Sequence, residues 1–473
     1  MASIEFWSIM QRSFKLIYLT LLLLLCVPFG ALAQTSSINA YSPYSMYGPG
    51  ELLTPGNAQM RAMGGVGLGK RTVGQINTIN PAAASSIARK SFLFDVGIDG
   101  THFRNSQPKY DQSGKRISTS KTGYNTANIH NIAIAFPLAK SLGASLSVAP
   151  YSSVGYKINT TDQNESNWAD IGRVQYGYEG MGDITEVKLS IGWMPWRKFS
   201  IGVAAKYYWG YIERKYQTSV TDQIIGTENY SSTVCTDEYL VNSFKFQVGV
   251  QWSPISTDSQ ILTFGATYDL GGALNPEVRN IVSTGSNINS SNNEAREDIS
   301  TLSLRVPHQV GAGLFYRNRT IAFGADYVYA AWGNDNTSFS ENHDAQSVNV
   351  TYTNTHTVKL GFEITPRSSD VRNYLNRMSY RVGARAGNYY QSFGGECINQ
   401  FAITAGIGLP VKVWGASSVN IGFEYGHTAA PKRITVGSKS VGLVSQNYYK
   451  ISIGFSLFSG DTSDYWFVRQ KFD

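Results

Sequence analysis

A chain of 473 residues with a formal net charge of +7 and 15% charged side chains is too mildly and too evenly basic to argue for nucleic-acid binding. Its 29 tyrosines, 46 glycines and 9 tryptophans suit a barrel with aromatic girdles better than a soluble enzyme. After residue 33 no apolar run approaches the roughly 18 residues of a membrane helix, so any passage through a membrane is made by strands.

The chain opens on a targeting pattern. Arg12 and Lys15 precede an apolar stretch at 16–25, and Ala31-Leu32-Ala33 gives a small-x-small cleavage site. Residues 1–33 therefore read as a signal peptide that is removed, with the mature chain starting at Gln34. Two cysteines remain, Cys235 and Cys397. Both fall on expected outward loops, so pairing in an oxidising compartment stays open.

Residues 59–83 are the least strand-like part of the mature chain, and residues 34–90 read as a plug. Gly64, Gly65, Gly67 and Gly69 allow positive φ and close backbone approach. The stretch from Gly64 to Lys70 comes close to a phosphate loop. However, Arg71 stands where Ser or Thr would hold magnesium, no buried strand precedes it and no amphipathic helix follows. A glycine-rich loop fitted into a crowded space is the better reading. Asn80-Pro81 then marks a turn or cap, with one helical turn expected over residues 82–87.

From Phe92 onward the pattern alternates with period two. Phe199, Ile201, Val203, Ala205, Tyr207, Trp209 and Tyr211 share one face, with Ser200, Gly202, Ala204, Lys206, Tyr208 and Gly210 on the other. Such strands are half buried. About fourteen are expected, near 91–104, 127–138, 142–158, 184–196, 198–219, 237–254, 260–271, 301–317, 320–333, 350–366, 377–391, 398–412, 416–428 and 446–458. Long polar connections (105–126, 159–183, 220–236, 272–300, 334–349, 429–445) alternate with tight ones. A sandwich has no reason to sort its loops this way, whereas an outer-membrane barrel does. Two connections depart from the rule: 367–376 is long for a tight turn, and 392–397 is short for an outward loop. The fold expected is all-β, a transmembrane antiparallel β-barrel over residues 91–458 with an N-terminal hatch in the lumen and a C-terminal tail at 459–473.

In such a barrel the polar face lines the lumen. That places Lys206, Lys245, Glu363, Arg381, Arg385 and Glu424 inside, where unpaired charge is costly and ion pairs with one another or with the plug are expected. A porin eyelet is the functional alternative for the same residues. In the third strand Pro150 cannot donate to a ladder, so it either bends the strand and opens its pairing, with Gly155 easing the kink, or lies near the outer rim.

The run Arg61-Ala62-Met63-Gly64-Gly65-Val66-Gly67, followed by Asn80-Pro81-Ala82-Ala83, resembles the N-terminal region of the FadL/TodX outer-membrane transport family. The resemblance implies a hatch carried by Arg61, Met63, Gly64, Gly65, Gly67, Asn80, Pro81 and Ala82, inside a fourteen-stranded barrel that moves hydrophobic compounds. It also implies a lateral gate in the third strand at Pro150, Ser153 and Gly155, although Ser152-Ser153 stand where the family has a glycine.

There is no Gly-x-Ser-x-Gly elbow, no HExxH and no Cys-x-x-Cys pair. The six histidines lack ligand spacing, so no catalysis, metal or cofactor is expected. The sequence reads as a bacterial outer-membrane channel for passive uptake of hydrophobic small molecules, fatty-acid-like or aromatic, by hatch rearrangement and lateral exit. Its partners are outer-membrane lipid and the hydrophobic ligand. Two alternatives stay open: a binding or assembly component of a secretion or surface-protein complex, with a protein partner at the loops or tail, and a general hydrophilic pore.

Overall fold

A computed structural model describes residues 40–89, 91–110, 115–161, 172–221, 232–285, 304–333, 350–370, 372–411, 417–436 and 439–459. The expected signal peptide and residues 460–473 of the expected tail lie outside the described residues.

Fourteen strands form the wall: β1 (Phe92–Tyr110), β2 (Arg116–Ala139), β3 (Leu142–Thr161), β4 (Arg173–Trp196), β5 (Phe199–Thr221), β6 (Ser232–Ser256) and β7 (Gln260–Asp269), then β8 (Gln309–Asn318), β9 (Ile321–Ala330), β10 (Thr355–Ile364), β11 (Ser379–Phe393), β12 (Glu396–Val411), β13 (Ser417–Ala429) and β14 (Ser445–Ser459). Each pairs antiparallel with the next, and β14 returns to β1 in register from Phe92↔Ser459 to Ser106↔Ser445, closing the barrel. Closure removes sheet edges, which lipid cannot solvate.

The two faces of β5 show why these residues make a membrane wall. Val203, Trp209 and Tyr211 are exposed on the outside, while Ser200, Ala204 and Tyr208 are buried on the inside. Trp193, Trp196, Phe244, Phe246 and Trp252 continue the apolar exterior on β4 and β6. Apolar side chains that would be costly in water are at home in lipid, and aromatic residues mark its margins.

A tilted strand needs about 9–11 residues to span, yet β4 has 24 and β6 has 25. The excess lies at the end away from the tight turns, and it corrects several expected loop boundaries. Much of 105–126 and 159–183 is strand, as is the stretch from Ser232 on β6, and Glu277–Gly285 pairs with the outer end of β6. These extensions are rich in Ser, Thr, Asn and Tyr with no fixed lipid face, so they carry no period-two signal. The expected strand at 301–317 is also shorter. Arg305–Val306 pairs with Gly272–Ala273, and β8 begins only after Pro307, at Gln309. The 350–366 segment divides into Val350–Tyr352, paired with β11, and β10. The 367–376 connection runs into the helical turn Tyr374–Arg377, capped by Asn373. The short 392–397 connection is a hairpin whose Gly394 and Gly395 take φ of 56° and 84°, the left-handed region a two-residue hairpin demands.

Beyond the membrane belt, inner faces turn from polar to apolar. Val154, Tyr156, Ile184, Tyr208, Ile212, Tyr239 and Val241 form one buried cluster with Leu274, Val278, Leu304 and Val306. Tyr44, Trp332, Tyr389, Tyr390 and Phe393 form a second. Together they give the outer part of the barrel a packed interior.

Candidate functional site: plug, lumen and an unzipped seam

Residues 40–89 run inside the strands. Tyr44 packs against Tyr389 and Phe393 at the outer end of β11. The chain then descends, and Gln59 reaches Ser418 and Ser456 at the turn end of β13 and β14. From there it winds around the interior wall, strand by strand, until β1 begins.

The contact is backbone against backbone, and wall glycines make it so. A Cβ at Gly143 would sit 2.0 Å from the Ala84 carbonyl, at Gly202 2.3 Å from the Ala82 amide nitrogen, at Gly265 1.9 Å from the Leu68 carbonyl, and at Gly383 2.3 Å from the Gly64 nitrogen. Similar contacts at Gly192 and Gly361 extend the pattern, and at Gly454 the near neighbour is the Ala58 Cβ. No side chain fits between wall and plug at these points, because real Cβ contacts below about 3 Å do not occur.

Polar bonds fix the plug where glycines do not. Arg61 donates to Asp99 of β1 at 2.7 Å and to the Thr54 carbonyl at 2.6 Å, and both members of the ion pair are buried. The short helix Ala58–Arg61 is capped by Asn57, which accepts from the Met60 amide. Asn80 caps the 3₁₀ turn Pro81–Ser86 by accepting from Ala82 N, and its amide donates to the carbonyls of Leu68 and Val250. Asn thus closes the turn and ties it to β6 at once. Met63 is buried with Val66, Phe315 and Ala322.

The glycine-rich loop holds an anion of its own. Gly67 N and Leu68 N donate to one carboxylate oxygen of Asp326 on β9, at 2.7 and 3.0 Å, while Gly64 N donates to Thr404 Oγ1 at 2.9 Å. Successive amides make an anion-binding nest, and here a wall carboxylate fills it. This is a physical reason against the nucleotide reading of Gly64 to Lys70.

The lumen residues named from sequence fall into separate groups. Lys206 lies between Asp269 at 2.5 Å and Glu186 at 3.3 Å. Arg381 binds Glu363 at 2.5 Å and Asn420 at 2.9 Å. Arg385 binds Glu424 at 2.6 Å, and Tyr448 bridges the pair. Lys245 stands apart and donates to the Ala273 carbonyl at 2.7 Å. Lys188 donates to the plug carbonyls of Thr78 and Ile79.

The β2–β3 seam is unzipped in its outer half. The ladder runs from Ala139↔Leu142 to Ile132↔Val148 and ends there. Pro150 lies just past the end, and the β3–β4 register shifts between Pro150 and Ser152, leaving Tyr151 as a bulge. Proline has no amide proton to continue a ladder. The N-terminal segment occupies the vacated edge. Glu51 and Leu52 pair with Ser153 and Ser152, Leu53 N donates to the Tyr151 carbonyl, and Ser42 N donates to the Gly155 carbonyl at 2.8 Å. Ser45 Oγ accepts from Gly155 N at 3.0 Å. Residues 42–53 thus form a strap over the kink. The sequence reading marked Pro150, Ser153 and Gly155 but missed the strap, since a two-residue strand carries no periodicity.

A cavity of about 300 Å³ lies behind the strap, bounded by Glu51 and Leu52, by His130 of β2, by Pro150 and Tyr151 of β3, and by Lys450 of β14. Among the described residues no group of His, Cys, Asp or Glu is arranged to hold a metal ion. Cys235 and Cys397 are both free thiols, on β6 and β12.

An antiparallel fourteen-stranded barrel, apolar outside and threaded by its own N-terminal segment, is a bacterial outer-membrane barrel of the FadL type. The profile of the BamG family matches residues 14–473, and the chain belongs to that family. A Pseudomonas aeruginosa FadL homologue is similar at a TM-score of 0.56 and 12% identity, with 87% of this chain and 99% of that chain covered. The Pseudomonas putida toluene transporter TodX aligns at 0.51 and 14%, covering 87% and 100%. The Ralstonia pickettii toluene transporter TbuX aligns at 0.50 and 12%, covering 85% and 98%. At these identities the likeness concerns the fold. No curated protein matches the sequence.

Proposed function

We propose that the chain is an outer-membrane transporter that passes amphipathic small molecules sideways, between the lumenal cavity and the outer leaflet, through the β2–β3 seam. The observation that carries this reading is the ladder that stops at Ile132↔Val148 beside the cavity. The fold is shared with proteins described as toluene transporters. The cavity wall here carries Lys188, Lys206, Lys359 and Lys450 beside Glu51 and Glu186, however, and a bare hydrocarbon cannot solvate charge. A fatty-acid-like molecule with a charged head and an apolar tail suits the wall better. A lateral exit spares that tail a polar passage, at about 0.8 kcal/mol for each CH₂.

The tight glycine contacts argue that most of the plug stays in place and that the strap at 42–53 is the moving part. This narrows the expected hatch rearrangement to one segment. The test uses cysteines at Glu51 and Ser153, which face each other across the added ladder, in a C235S/C397S background. Facing positions on antiparallel strands suit disulfide geometry. Oxidation should block uptake of a fluorescent long-chain fatty acid by cells, and reductant should restore it. Equal uptake by the cross-linked and reduced protein would refute the strap as the gate.

A second reading, a binding or assembly component of a surface complex, is favoured by one feature: the outer part of β2 pairs with β1 and with no other strand among the described residues.

A further inference from the structure

Above the end of the β2–β3 ladder, β2 continues from Asn131 to Arg116 paired with β1 and with no other strand among the described residues. The register with β1 runs without a shift from Ile98↔Ile129 to Lys109↔Ser118. Residues 116–126 alone present about 35 Å of strand edge. On the far side of the opening the strap covers β3 from Tyr151 to Gly155 and no other described strand pairs with that edge, and Tyr41 of the N-terminal segment stacks on Tyr124 of β2 at 4.9 Å. The opening is therefore a cleft with the N-terminal segment at its base and a β edge along one wall.

Exposed edges template the addition of another chain, and proteins usually blunt them with bulges, proline or very short strands. This edge has no proline between 116 and 131 and no bulge along 118–129. The ribbon is also charged with one sign. Arg104, Lys109, Arg116 and Lys121 are exposed, and no carboxylate occurs among its described residues beyond Asp99. A second copy of this chain, added edge to edge, would bring like charges together. We infer that the outer edge of β2 is a docking site for an extended, acidic segment of a partner protein, added as a strand and held by backbone bonds with the four cations choosing its charge. Backbone pairing supplies affinity and side chains supply selection in this mode of recognition. The inference does not depend on transport.

The test uses the full chain in mild detergent, with Cys235 and Cys397 changed to Ser and one cysteine introduced. Ser120→Cys lies on the open edge. Thr218→Cys is comparably exposed on β5, but both of its edges are taken, by Tyr176 and Thr233. The probes are ten-residue peptides alternating Glu with Thr or Val around a central cysteine activated as a mixed disulfide with 2-nitro-5-thiobenzoate, which leaves as its thiolate when the protein thiolate attacks, and the same peptides with Lys for Glu. The acidic peptide should form a disulfide with S120C about tenfold faster than with T218C, and the basic peptide should show no such preference. Adding R116E and K121E should reverse the choice of peptide. Equal rates at both cysteines, or no dependence on peptide charge, would overturn the inference. If lipid A micelles abolish the cross-link and excess peptide cannot compete them away, the ribbon is instead a surface for lipid phosphates, and the inference fails. Heat-modifiable migration of each variant on gels checks that the barrel is intact.

Discussion

Alanine at Gly202 should loosen the plug and leave the barrel closed. The added Cβ would sit 2.3 Å from the nitrogen of Ala82 and 2.4 Å from the carbonyl carbon of Pro81. Ordinary contact begins near 3.4 Å, so wall and plug must part by about 1 Å. Neither side yields readily. β5 is held in ladders to β4 and β6, and the turn at Pro81 is flanked by Gly192 and Gly249, which press on Pro81, Ser85 and Asn80. Overpacking costs about 1–3 kcal/mol. Alanine recovers about 0.4–1 kcal/mol by restricting the unfolded chain, leaving a net loss of roughly 1–2 kcal/mol. That is a five- to thirtyfold shift in a local equilibrium. Hydrogen exchange followed by mass spectrometry should show faster exchange of that size in residues 78–89, with the strands unchanged. Gly100→Ala is the control, because its Cβ meets only the Thr126 carbonyl, at 3.9 Å. Equal protection of 78–89 in G202A and G100A would refute tight backbone packing as the plug's anchor.

Three further outcomes follow from the same geometry. Arg61→Ala leaves Asp99 buried without its partner and should cost about 3–5 kcal/mol, read as a lower unfolding temperature in detergent; the double variant R61M/D99L should recover much of it. In the turn-end connection, hydrogen bonds from the Asn376 side chain and from the amides of Asn373 and Arg372 hold the Asp370 carboxyl below its usual range. A depressed carboxylate pKa stabilises the turn above the unfolded value, and the effect fades as pH falls through the folded one. The turn should therefore become protease-sensitive only under acid, and Asp370→Asn should make its sensitivity independent of pH. Cys235 and Cys397 should both react with maleimide in the unfolded, unreduced protein, and a non-reactive pair would contradict the free thiols.

The sequence by itself determined the class of fold. Period-two alternation with Trp and Tyr on one face, and tight turns alternating with long connections, are local patterns that lipid on one side and a polar lumen on the other impose on each strand separately. The glycine run and Asn80-Pro81 marked the plug for the same reason, since positive φ and a proline-led turn are properties of single residues. Pro150 marked where the β2–β3 ladder stops and the β3–β4 register shifts, because a missing amide proton is visible without any partner. Tertiary structure decided everything that depends on which distant backbones meet. That Gly202 faces Ala82, that Asp326 fills the nest at Gly67 and Leu68, and that Glu51 and Leu52 replace β2 along the edge of β3 are facts of register across a closed barrel. The two-residue strand Glu51–Leu52 and the mostly exposed outer run of β2 bury no periodic stripe, so nothing in their composition could announce them. Their positions follow only once fourteen ladders fix where the lumen, the seam and the open edge lie.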